Sequence, residues 1–118
     1  MTACVFCEIV AGRTPATVVQ EWDDALAIVP IGPVVDGHTL VIPKQHVADF
    51  GEDPEVSAAT MRRAAELAAG PWPANIITSR GREATQSVWH LHLHIVPRAA
   101  NDGLALPWYS GRSRKSAA

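Results

Sequence analysis

His90-Leu91-His92-Leu93-His94-Ile95-Val96 carries an alternation that only extended backbone resolves into two faces. Successive side chains of a strand point to opposite sides. Val88, His90, His92, His94 and Val96 then share one face, and Trp89, Leu91, Leu93 and Ile95 share the other. The spacing predicts a strand from Val88 to Val96 whose apolar set packs beneath a helix. Its polar set aligns three imidazoles, with alternate Cα atoms roughly 6.5–7 Å apart. One histidine so placed is accounted for as the polar side of a half-buried strand. Three in succession point to chemistry. They suit a catalytic metal, as three-histidine zinc sites do. They equally suit a nucleophile flanked by helpers, because an imidazole pKa near 6.5 leaves the neutral base available at cellular pH. Spacing does not choose between the two.

Outward from this stretch, the chain reads mostly as short strands. Val5, Phe6, Ile9 and Val10 predict a short helix ending at Gly12. Val18–Trp22 and Ala25–Ile31 predict two strands around the Asp23-Asp24 turn, and Thr39–Ile42 a third, stopped by Pro43. Asp53 is a suitable N-cap and Pro54 a suitable first residue for a helix reaching Gly70, with Val56, Thr60, Met61, Ala64, Leu67 and Ala68 as its apolar stripe. Asn75–Thr78 predicts a fourth strand. The expected class is α+β: an antiparallel sheet of about five strands, one main helix on one face, and a short N-terminal helix.

The 118 residues fit one domain, taken as 1–110, with 111–118 as a loose basic tail containing Arg112, Arg114 and Lys115. A net charge of −2 gives no electrostatic case for nucleic acid or an acidic membrane. No apolar run approaches the ~20 residues of a membrane span. Met1-Thr2-Ala3-Cys4 lacks a secretory head, so a reducing cytoplasm is expected. There Cys4 and Cys7 read as metal ligands or a redox pair before a structural disulfide. Their spacing is also compatible with two idle thiols.

The strand quoted first resembles the signature of the histidine triad (HIT) family, His-x-His-x-His followed by two apolar residues. Cys4-Val5-Phe6-Cys7-Glu8-Ile9-Val10-Ala11-Gly12 and Thr14-Pro15-Ala16 resemble its opening segment. Gly37-His38-Thr39-Leu40-Val41-Ile42-Pro43-Lys44-Gln45-His46 resembles its second block, and Gln86-Ser87-Val88 and Pro97-Arg98 fit around the triad. The likeness runs from Cys4 to Trp108.

The resemblance implies a hydrolase or transferase that cleaves at the α-phosphate through a covalent nucleotidyl-histidine at His92. It implies that the His90 carbonyl fixes the tautomer of His92, and that His94 and His38 lie by the phosphate and leaving group. Gln86 and Ser87 fall where the family donates hydrogen bonds to phosphate oxygens, and Ser79 stands where many relatives have Asn. The N-terminal cysteines imply a structural zinc held by Cys4, Cys7, His46 and His90. A homodimer formed through the helix and a sheet edge is implied too, with Trp108 and Tyr109 reaching toward the partner's nucleotide site. Pro30 departs from the pattern, replacing an acidic residue that contacts ribose. That departure motivates an alternative, a nucleotide-binding module with little turnover. The short helical middle favours a purine nucleoside monophosphate derivative, such as a phosphoramidate, over a dinucleoside polyphosphate.

Overall fold

The computed structural model describes residues 4–112. Its elements are α1 (Val5–Val10), β1 (Val18–Glu21), β2 (Ala25–Ile28), β3 (Thr39–Pro43), α2 (Pro54–Leu67), β4 (Ala74–Ile77) and β5 (Leu93–Pro97), with a single 3-10 turn at Arg82–Ala84. The five strands form one antiparallel sheet in the order β1-β2-β3-β5-β4. The α+β expectation therefore holds. No helix among the described residues is long and apolar enough to cross a membrane.

Both faces of the sheet are covered. Ala25, Ala27, Val41, Leu93 and Ile95 meet Ala64 of α2, with Leu67 and Ala68 packed against them. Small side chains on both sides of this contact let the helix lie close to the sheet. On the opposite face Leu26, Ile28, Leu40 and Ile42 meet Phe6 of α1, with Ile9, Val10 and Val88 alongside. The Asp53 carboxylate accepts from the Glu55 and Val56 amides and caps α2, as its sequence position predicts.

Three expectations are corrected. The last strand begins at Leu93 rather than Val88. Extending the β3–β5 register past Val41↔Leu93 would set Pro43 opposite Leu91, and proline has no amide for the ladder. The carbonyls a longer strand would offer are also taken by side chains: His90 O lies 2.8 Å from His92 Nδ1, and His92 O accepts from Thr78 Oγ1 at 2.8 Å. Trp89, expected under the helix, is instead 49% exposed. On α2 the buried residues are Thr60 and Ala64, while Met61 is 43% exposed, and the helix stops at Leu67 before Gly70.

Gly111, grouped with the tail on sequence grounds, is buried, and its carbonyl accepts from the Gly103 amide. Residues 113–118, including Arg114 and Lys115, lie outside the described residues.

Because Ala64 is fully buried against Ala25 and Ala27, Ala64→Leu should overpack the helix–sheet contact and cost about 1–3 kcal/mol. Urea denaturation checks this, and an unchanged midpoint would contradict the packing described.

Candidate active site and metal centre

His90 is fully buried and makes contacts in three directions. Its Nε2 lies 2.8 Å from the Pro43 carbonyl. A carbonyl only accepts, so Nε2 carries the hydrogen and Nδ1 presents a lone pair. That lone pair faces Cys4 Sγ at 3.4 Å, Cys7 Sγ at 3.6 Å and His46 Nδ1 at 3.1 Å. His46 Nδ1 also lies 3.3 Å from Cys7 Sγ. The ligand atoms of Cys4, Cys7, His46 and His90 all fall within 4.8 Å of one another, close enough to hold one metal ion. For bonds of about 2.0–2.3 Å, the edges of a tetrahedron run to about 3.3–3.8 Å. The observed separations are of that size. Burial, followed by the Cys4 sulfur, pushes the Cys7 thiol above its ordinary value, an effect that a cation between them would reverse.

The His90 carbonyl faces the other way and accepts from His92 Nδ1. The hydrogen of His92 is thus on Nδ1, and Nε2 is left as a bare lone pair. Phe6 packs its ring edge-on to both imidazoles, at centroid distances of 5.2 Å to His92 and 5.7 Å to His90.

His38 and His94 form a second fixed chain. The Val34 amide donates to His38 Nδ1 at 3.1 Å, so the His38 hydrogen lies on Nε2. Nε2 donates in turn to His94 Nδ1 at 2.9 Å, which leaves the His94 hydrogen on its outward Nε2. Burial lowers the pKa of His38. Burial, with smaller contributions from His92 and His38, lowers that of His94 to about 4. Both are neutral near pH 7.

Two cavities meet at His92 and His94. The larger, about 540 Å³, lies between α1 and the sheet and is walled by Phe6, Ile9, Ile28, Leu40 and Pro30, with Ser87 at its edge. The smaller, about 350 Å³, adds His38, Ser79, Gln86 and Arg98 to the two histidines. His90 borders neither, so its route to the reacting centre is its carbonyl. Gln86 has both amide hydrogens committed, to Ala48 O and Val88 O, while its Oε1 accepts from the Gly81 amide. Its geometry fits it to fastening three loops rather than donating to a phosphate. Trp108 is 61% exposed and borders neither cavity.

Thr78, Val34 and the Arg98–Asp102 pair were not singled out from the sequence. Thr78 could have been noticed as a hydroxyl at a strand end. Val34 acts through its amide and leaves no side-chain signal.

This arrangement sets a histidine with a fixed tautomer beside four cysteine and histidine side chains close enough to hold a metal ion. The HIT domain profile matches residues 11–101, and the chain belongs to that family. It is 38% identical over 112 residues to adenosine 5'-monophosphoramidase hnt1 of Schizosaccharomyces pombe, covering 92% of this chain and 84% of that one. It is 34% identical over 119 residues to adenylylsulfatase HINT3 of Arabidopsis thaliana, covering 95% of this chain and 59% of that one. The crystal structure of a HIT family protein from Bacillus anthracis superposes with a TM-score of 0.75 at 36% identity, covering 91% of this chain and 82% of that one.

The lowered imidazole pKa values make stability depend on pH. Between about 4 and 6.5 the unfolded chain binds a proton that folded His94 refuses, and the lowered pKa of His38 acts in the same direction. Their contribution is complete above pH ~6.5 and is lost as pH falls, at up to about 1.4 kcal/mol per pH unit per group. Melting temperatures from pH 7.5 to 4.5 should decline more steeply for the unaltered chain than for His94→Asn. Parallel declines would contradict the assignment.

Proposed function

We propose that this protein is a nucleotidyl hydrolase or transferase cleaving a phosphorus–nitrogen or phosphorus–oxygen bond at the α-phosphate of a nucleoside monophosphate derivative. A purine nucleoside phosphoramidate is the substrate type best supported. The observation that carries the reading is the His92 tautomer. With Nδ1 held on the His90 carbonyl, the Nε2 lone pair opens onto a site shared by both cavities. An unprotonated, oriented nitrogen is what nucleophilic catalysis requires.

In the first half-reaction His92 Nε2 bonds to phosphorus as the bond to the leaving nitrogen breaks. The electron pair goes to that nitrogen, which takes a proton from water in the cavity, while the hydrogen on neutral His94 Nε2 is donated as a hydrogen bond to the phosphate and leaving group. A second water then attacks phosphorus, His92 Nε2 departs with its electron pair, and the proton released neutralises the hydroxide left by the first step. His38 holds His94 in the donating tautomer. The apolar cavity beside Phe6 takes the nucleoside, with Ser87 near the phosphate. Ser79 borders the leaving-group side. Gln86 acts by positioning the loop that leads to the triad.

Cys4, Cys7, His46 and His90 suit zinc, since two sulfurs and two imidazole nitrogens favour it and leave no open position for chemistry. Zinc there would neutralise the thiolates and pin α1 to the segment bearing His90. Thiol ligands fit the reducing cytoplasm. A homodimer across α2 and the β4 edge is supported by apolar side chains left exposed there, Met61, Trp72 and Ile77.

Incubation with adenosine 5'-phosphoramidate should release the monophosphate, with a transient nucleotidyl adduct seen by intact mass. His92→Ala should lower turnover by about 10³-fold or more, and His94→Ala by about 10²–10³-fold. Undiminished turnover by His92→Ala would refute the nucleophile. Tight nucleotide binding without turnover by the unaltered chain would favour the binding module instead, which Pro30 in the nucleoside cavity otherwise motivates.

Elemental analysis should find about one zinc per chain. Cys7→Ser should lose most of it and melt at a lower temperature. Less than about a third of an equivalent in the unaltered protein, purified without chelator, would overturn the zinc assignment.

A further inference from the structure

The smaller cavity has a wall that the proposed reaction does not explain. Residues 98–111 follow β5, turn back, and place Leu104 and Leu106 against the space beside His38, His92 and His94. The turn is closed by an ion pair shielded from water. Arg98 Nε and Nη2 donate to the two Asp102 oxygens at 2.8 and 3.0 Å, and the two side chains are 12% and 9% exposed. Asp102 also accepts from the amides of Ala99 and Leu104. Two of the three remaining guanidinium hydrogens go to Asn75 Oδ1 and the Leu104 carbonyl. Gly111 completes the closure: a Cβ there would meet Gly103 C and Leu104 N at 2.7 Å.

This stitching matters for charge. Among the described residues Arg98 is the only charged side chain bordering the cavity, and four of its five guanidinium hydrogens are held by partners in the chain. A bidentate pair of this kind neutralises both members and fixes their geometry. Val34, Ile77, Val96, Leu104 and Leu106 supply the apolar wall. Buried His38 and half-buried His94 on the other side are held neutral. A group entering here finds this apolar surface, the hydroxyls of Ser79 and Thr85 and, among the described residues, no unpaired Lys or Arg, and a second negative charge brought in beside the phosphate would be desolvated without a cationic partner.

We propose that this cavity is the leaving-group chamber and that the Arg98–Asp102 latch makes it select an uncharged, apolar-bodied leaving group over an anionic one. The inference rests on the nucleotidyl-transfer reading above. Asp102 is a positioning residue: it silences the Arg98 charge and holds Leu104 and Leu106 in the wall.

Two adenosine 5'-phosphoramidates of matched reach test this, one N-substituted with 2-phenylethyl and the other with 2-sulfoethyl. Diadenosine triphosphate provides a polyanionic leaving group. The phenylethyl compound should exceed each of the others in kcat/KM by at least about tenfold. Asp102→Asn leaves Arg98 uncompensated and should shift the phenylethyl-to-sulfoethyl ratio about tenfold or more toward the sulfonate. A merely structural role would lower both alike. Leu106→Lys, which adds a cation to the wall without touching the latch, should shift the ratio in the same direction and serves if Asp102→Asn does not fold. Equal turnover of the two amides by the unaltered chain, or an unmoved ratio in a folded variant, overturns the inference. Failure to cleave even unsubstituted adenosine 5'-phosphoramidate overturns the underlying function instead.

Discussion

One buried imidazole ties the molecule together. His90 donates to the Pro43 carbonyl where β3 ends, turns its other nitrogen to Cys4, Cys7 and His46, and uses its own carbonyl to orient His92. Each bond constrains the next. The donation to Pro43 leaves Nδ1 free for the sulfur cluster, and the cluster holds the start of α1 against the sheet. The same helix carries Phe6, which braces both His90 and His92. The nucleophile's orientation therefore depends on the packing of α1 and on the end of β3, two elements distant from it in sequence.

Burial does the remaining electrical work. Partial burial of His38 and His94 favours their uncharged forms. Main-chain groups then determine which nitrogen of each ring carries its hydrogen. With the tautomers so assigned, His92 presents Nε2 and His94 presents a donor, a complementary pair for the proposed attack on phosphorus. Among the described residues, the flanking cavities add no unpaired Lys, Arg, Asp or Glu, which suits the single anionic phosphate of the proposed substrate.

Much of this was legible in the sequence because alternation and spacing report local geometry. Leu93 and Ile95 do pack toward α2, and Asp53-Pro54 does begin it. The strand's length was overestimated because periodicity counts side chains, whereas the ladder depends on backbone partners. Pro43 offers no amide, and His92 and Thr78 side chains take the carbonyls. Trp89 follows from the same error, since outside the strand its alternation no longer aims it at the helix. At the site, the histidines and cysteines that the fold brings together were the ones that spacing and resemblance singled out. The occupied amide of Gln86, the Val34 amide behind His38 and the Arg98–Asp102 latch arise from long-range or main-chain contacts that no residue spacing encodes.

The imidazole tautomers are the most direct test of this account. A long-range proton–nitrogen correlation spectrum of the intact, nitrogen-15-labelled protein at pH 7 would report them ring by ring. The account predicts hydrogen on Nδ1 of His92 and on Nε2 of His38, His90 and His94. A His92 ring carrying its hydrogen on Nε2 would contradict it, because the nitrogen proposed to attack phosphorus would then hold no free electron pair.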